Sequence, residues 1–108
     1  MVGAAAVRRL LAIQPGIDGI FCCNDAMAAG ALEAIRESGR DVPGDIAVIG
    51  FDDSSVAMRT VPALTTVRQP MAAMAEHMVD LLERRIAEPG AAPTSMVIPP
   101  ELVVRASA

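Results

Sequence analysis

Apolar positions recur along this chain with two alternating periods. Residues 2–13 place Ala4, Val7, Leu10 and Leu11 three and four apart, which predicts a helix stopped by Pro15-Gly16. Residues 17–23 are an apolar run of strand length, which predicts a buried strand. Helical spacing returns over 25–38, with Ala28, Ala31, Leu32 and Ile35 as the stripe. Asn24 or Asp25 is placed to cap that helix, Asp25 more naturally, and Gly39 to end it. A turn at 40–45 leads to a second buried strand at 46–51. A short helix is expected at 54–59 and a short strand at 64–67, broken by Pro70. Residues 71–87 form the clearest amphipathic helix, with Met71, Met74, Ala75, Met78, Leu81, Leu82 and Ile86 on one face. Two further short strands are expected at 96–98 and 102–104, separated by Pro99-Pro100.

Strands that alternate with helices predict parallel pairing through right-handed crossovers, and hence an α/β fold. Five short strands make a thin sheet, and the first helix has no strand before it. The chain is therefore expected to be part of a larger fold.

Two of these strands end alike. Ile20-Phe21-Cys22-Cys23-Asn24-Asp25 and Ile46-Ala47-Val48-Ile49-Gly50-Phe51-Asp52-Asp53 are apolar runs that stop abruptly on hydrogen-bonding side chains. In an open parallel sheet such endings share one edge, where ligands bind. A polar rim of this kind suits a small polar molecule.

Composition narrows the classes. In 108 residues, 53% hydrophobic but with two Phe, no Trp and no Tyr, the core must be aliphatic, and only Phe21 and Phe51 could stack on a base or sugar. A chain of this length buries roughly 65% of its unfolded surface, enough for one domain. Net charge is −4, and every basic residue is Arg. The doublets Arg8-Arg9 and Arg84-Arg85 are too few to neutralise a phosphate backbone, so this stretch is not expected to bind nucleic acid. No signal-peptide pattern and no apolar run of about 20 residues is present, so a cytoplasmic location away from the membrane is the expectation.

Catalytic and metal chemistry find little support. No Ser-His-acid set, Cys/His metal spacing or phosphate-cradling glycine loop appears. No catalytic residue, metal or cofactor is expected. Asp52-Asp53 resembles the acidic cluster of a receiver domain, but such a cluster also wants a Lys, and the chain has none. Cys22 and Cys23 are expected on opposite faces of a strand as packing residues. His77, near Glu76 and Asp80, is expected on the polar side of its helix.

Four motifs in unbroken order carry a family resemblance. They are Phe21, Asn24-Asp25, Met27-Ala28 and Gly30-Ala31; then Val42-Pro43, Asp45-Ile46 and Val48 to Asp53; then Pro62, Leu64 to Val67 and Gln69-Pro70; then Pro100 to Arg105 with Ser107. Over about 2–107 the chain resembles the lactose-repressor/galactose-repressor family. The resemblance implies a bacterial transcription regulator with a DNA-binding head, a hinge and a two-lobed core of the type I periplasmic-binding-protein-like fold. This chain would be a truncated C-terminal portion of that core, a parallel-sheet three-layer lobe. Residues 1–69 and 100–108 would form the C-terminal lobe, and 70–99 would belong to the other lobe. The implied effector contacts, to a sugar or related small polar molecule, are Asn24, Asp52 and Gln69. The implied homodimer interface is Met27, Ala28, Ala31, Ile35, Val56 and Met58. DNA would be reached only through a head outside this chain. The alternative is a fragment of a periplasmic sugar-binding protein for transport.

Overall fold

The computed structural model describes residues 2–108. The chain divides into two compact units. One runs up to Arg68 and resumes at Leu102–Ala108; the other is Gln69–Glu101.

The first unit holds α1 (Val2–Ile13), β1 (Gly19–Phe21), α2 (Asp25–Glu37), β2 (Ala47–Asp52) and β3 (Thr65–Arg68). Strand β4 (Glu101–Val103) completes a four-stranded sheet in the order β1-β2-β3-β4. β1 pairs with β2 in parallel, Ile20 opposite Val48, and β2 pairs with β3 in parallel, Gly50 opposite Thr66. The first three strands are thus parallel, as their alternation with helices predicts, and α2 packs on β2.

The core is aliphatic, as the composition requires. Ala28, Ala31, Leu32 and Ile35 of α2 meet Ile46, Val48 and Leu64 of the sheet side, with Ala4 and Val7 of α1 completing the cluster. The two helices approach closely at Gly3, where a Cβ would press into the main chain of Met27. An exposed Arg8–Glu37 ion pair of 2.6 Å spans the same helix pair. Ordinary local signals set the ends of α2. Asn24 Oδ1 accepts from the Met27 N–H at 2.8 Å, and Gly39 adopts φ 79° just past the last turn.

Several local expectations are corrected. The segment 54–59 is a series of turns, closed by Ala57 N–H to Ser54 O at 3.0 Å and Arg59 N–H to Val56 O at 2.9 Å. A helix that short does not repay its nucleation, and the Ser54 hydroxyl accepts from the Val56 N–H instead. Residues 96–98 form no strand. An extended run needs a ladder partner, and Pro99-Pro100 remove two donors beside it. Asp25 is not the cap; it is the first residue of α2 and is buried.

The second unit is α3 (Met71–Ala87) followed by an irregular return. None of the helix residues is fully buried. Met78 and Ile86 of the apolar stripe are 65% and 71% exposed. Met74, His77, Met78, Leu81, Met96 and Ile98 line a small hollow of about 140 Å³. His77 therefore sits half-buried among methionines, not on the polar side of the helix. Spacings of three and four residues bring it onto the same face as Met74 and Leu81.

Candidate functional site

Parallel pairing puts the C-terminal ends of β1, β2 and β3 at one edge of the sheet. Asn24 lies three residues past β1. Asp52 is the last residue of β2 and stands in register with Arg68, the last of β3. Two of the three sequence-predicted contacts, Asn24 and Asp52, thus follow strands that end on the same side. Gln69 is the residue after β3 and opens the second unit.

Asn24 is half-buried, with its Oδ1 committed to the helix cap. Asp52 is exposed, and its main chain has φ 109°. Asp53 follows at φ 53°. Positive φ is uncommon for residues with a Cβ, and consecutive examples mark a sharply turned strand end.

Behind this edge lies a polar network. Asp25 is 1% exposed. Its Oδ1 accepts from the Thr66 hydroxyl at 2.6 Å, and its Oδ2 accepts from the Ser54 N–H at 2.7 Å. Gly50 makes room for it, since a Cβ there would press on Asp25 Oδ1 and lie 2.8 Å from Leu64 Cδ2. The Asp25 carboxylate also sits in the first turn of α2, where the helix dipole favours negative charge. Asp53 is gripped from two sides, by Arg68 Nε at 2.7 Å and Arg105 Nη2 at 2.7 Å. The Arg68 hydrogen bond is the main reason its carboxyl lies below the ordinary carboxylate range; burial works against that shift and Arg105 adds to it.

At the opposite ends of β2 and β3, Ser107 is fully buried. Its hydroxyl donates to Val48 O at 2.6 Å and accepts from the Thr65 N–H at 2.8 Å. Arg105 also reaches Leu64 O at 3.0 Å. The C-terminal residues therefore tie the sheet together.

Sequence reasoning assigned Asp25 and Asp53 to caps and turns and gave Thr66, Arg105 and Ser107 no role. An Asp entering an apolar helix face is a signal that donors must await it. The partners are tens of residues away, so local pattern could not name them.

Cys22 is buried and Cys23 exposed, each with a free thiol. Burial raises the Cys22 pKa, which makes its thiol a poor nucleophile. Among the described residues, no group of three or more His, Cys, Asp or Glu could hold a metal ion. No described helix is long and apolar enough to cross a membrane.

The dimer expectation is corrected in part. Ala28, Ala31 and Ile35 are each 0% exposed, packed inside the first unit, and offer no surface to a partner. The interface role was implied by the family resemblance, whereas the helical stripe that these residues form meets the chain's own sheet. Met27 and Val56 are half-buried, and Met58 is exposed.

The geometry and the motifs meet in comparison with known proteins. Residues 1–108 match the periplasmic binding protein-like domain. The chain belongs to that family. An uncharacterised helix-turn-helix-type transcriptional regulator of Streptomyces limosus is 50% identical over 105 residues, which cover 97% of this chain and 29% of that protein. A solved complex of the transcriptional regulator CelR with cellobiose superposes with TM-score 0.92 at 42% identity, over 98% of this chain and 32% of that one. The lac repressor dimer bound to operator and the anti-inducer ONPF superposes with TM-score 0.86 at 31% identity, over 97% and 36%. Within the periplasmic binding protein-like family, the chain matches the C-terminal effector portion of lactose-repressor-type regulators. It spans about a third of the length of these relatives.

Proposed function

We propose that this chain is the effector-sensing and dimerisation part of a bacterial transcriptional regulator that works in the cytoplasm. The effector is a sugar or a related small polar molecule. Asn24, Asp52 and Gln69 contact it. With Oδ1 committed to the cap, Asn24 offers its amide nitrogen as a donor. Asp52 accepts from ligand hydroxyls, and Gln69 contributes both donor and acceptor. DNA is contacted by a separate segment of the regulator, and the chain performs no catalysis. Residues 1–69 and 100–108 serve as one lobe and 70–99 contribute to the other. Two chains associate through Met58 and Val56, with Met27 beside them.

One observation carries the reading: Asn24 and Asp52 follow parallel strands that end at the same edge, in a family whose relatives include a regulator solved with cellobiose. The regulators among its relatives favour this reading over a transport carrier. Titration calorimetry against a panel of mono- and disaccharides tests it. Charged hydrogen bonds contribute about 1.5–3 kcal/mol, so Asp52→Ala should weaken binding of the preferred sugar by roughly 10- to 100-fold. A panel in which no sugar binds, or in which Asp52→Ala binds as well as the parent, counts against the reading.

A further inference from the structure

The turn at the end of β2 is held in a conformation it would not choose by itself. Asp52 and Asp53 have φ 109° and 53°, and neither is glycine. Such backbone persists only where its surroundings over-determine it. Here the holding groups can be named. The Asp53 N–H donates to Thr66 Oγ1 at 3.4 Å, and the next amide, Ser54 N–H, donates to Asp25 Oδ2 at 2.7 Å. Thr66 in turn donates its hydroxyl proton to Asp25 Oδ1 at 2.6 Å. One hydroxyl and one carboxylate thus capture both amides that follow Asp52. The Asp53 side chain is pinned separately by Arg68 and Arg105. Thr66 is fully buried and Asp25 nearly so, which makes their replacement by water costly.

The two acids beside Asp52 are therefore already committed. Asp25 and Asp53 spend their oxygens on the groups that hold this turn, at the end of a strand whose last residue, Asp52, is exposed. We propose that Asp25, Thr66 and Asp53 are positioning residues, which hold the Asp52 main chain at positive φ and so fix where its carboxylate leaves the sheet edge. The inference rests on Asp52 being an effector contact, and it assigns three residues a share in the affinity without contact to the ligand.

The test uses this chain and has one arm that needs no ligand. At positive φ the amide and Hα protons of one residue lie closer together than in extended or helical backbone, so their NMR cross-peak is strong. Asp52 and Asp53 should show such peaks. Thr66→Val removes the hydroxyl at similar volume and should weaken both, whereas Thr66→Ser should retain them. Asp25→Asn should weaken them as well; should that variant fail to fold, the Thr66 pair decides. The second arm measures affinity for cellobiose as the probe. Loss of one such hydrogen bond corresponds to about a tenfold weakening in Thr66→Val, with recovery in Thr66→Ser. Unchanged cross-peaks in Thr66→Val, or equal loss in Thr66→Ser, would overturn the positioning role. Undiminished affinity in Asp52→Asn would instead overturn the effector reading, and the cross-peaks distinguish the two failures.

Discussion

Ser107 shows how much one side chain near the end of the chain can carry. Its hydroxyl joins Val48 O to Thr65 N–H in a fully buried position between β2 and β3. Ser107→Ala leaves a donor and an acceptor unpaired away from water, and each buried orphan costs about 1–3 kcal/mol. The expected result is a loss of about 2 kcal/mol or more in a urea-unfolding curve, and a loss under 0.5 kcal/mol would refute the role. Gly50 works by absence. A methyl there meets the Asp25 carboxylate and Leu64 Cδ2, so Gly50→Ala should destabilise by about 1–3 kcal/mol, the range for overpacking. Neither role was legible in the sequence. A serine among small residues and a glycine within an apolar run look the same whether buried or not.

At the scale of elements, the N-terminus of α2 has two tasks that one substitution can separate. Asn24→Ser keeps a good cap and removes the amide nitrogen, so stability should hold while sugar affinity falls. Asn24→Ala should lose both, with about 1 kcal/mol of stability. Thermal melts paired with calorimetry on the two variants check this, and equal sugar affinity in Asn24→Ser would refute the ligand role. Asp53 joins different elements, linking the end of β3 through Arg68 to the segment after β4 through Arg105. Its carboxyl is held below its ordinary value of 3.8. A depressed carboxylate contributes stability above the unfolded value and loses it as pH falls through the folded one. The stability of the first unit should therefore decline below about pH 4, and Asp53→Asn should flatten that decline. Parallel acid-unfolding curves for the two proteins would show it, and identical slopes would refute it.

At the scale of the whole molecule, the prediction is association. The 11.2 kDa chain should sediment as a dimer at high concentration. Met58→Glu places charge on the exposed part of the proposed interface and should shift the equilibrium to monomer without altering the circular dichroism spectrum. A parent chain that stays monomeric, or a variant that stays dimeric, would exclude this interface. The α3 stripe makes the comparison informative. Met78→Glu lies on another apolar face and should leave the dimer intact if Met58 is the contact.

Periodicity alone placed the helices 2–13, 25–38 and 71–87 within a residue of their observed ends, because each carries a repeating apolar face and a local stop. The shared edge of the abrupt polar endings at Asn24 and Asp52 was likewise legible, since parallel strands end on the same side of their sheet. Local pattern failed wherever a partner far along the chain mattered. Residues 96–98 have strand-like composition, yet no ladder formed. The family resemblance implied an interface role for Ala28, Ala31 and Ile35, yet these side chains were spent on the molecule's own core. Asp25 reads as a cap, yet a hydroxyl 41 residues later and an amide 29 residues later claimed it. A sequence states which groups need burial or a hydrogen bond; folding in three dimensions settles which distant group meets the need.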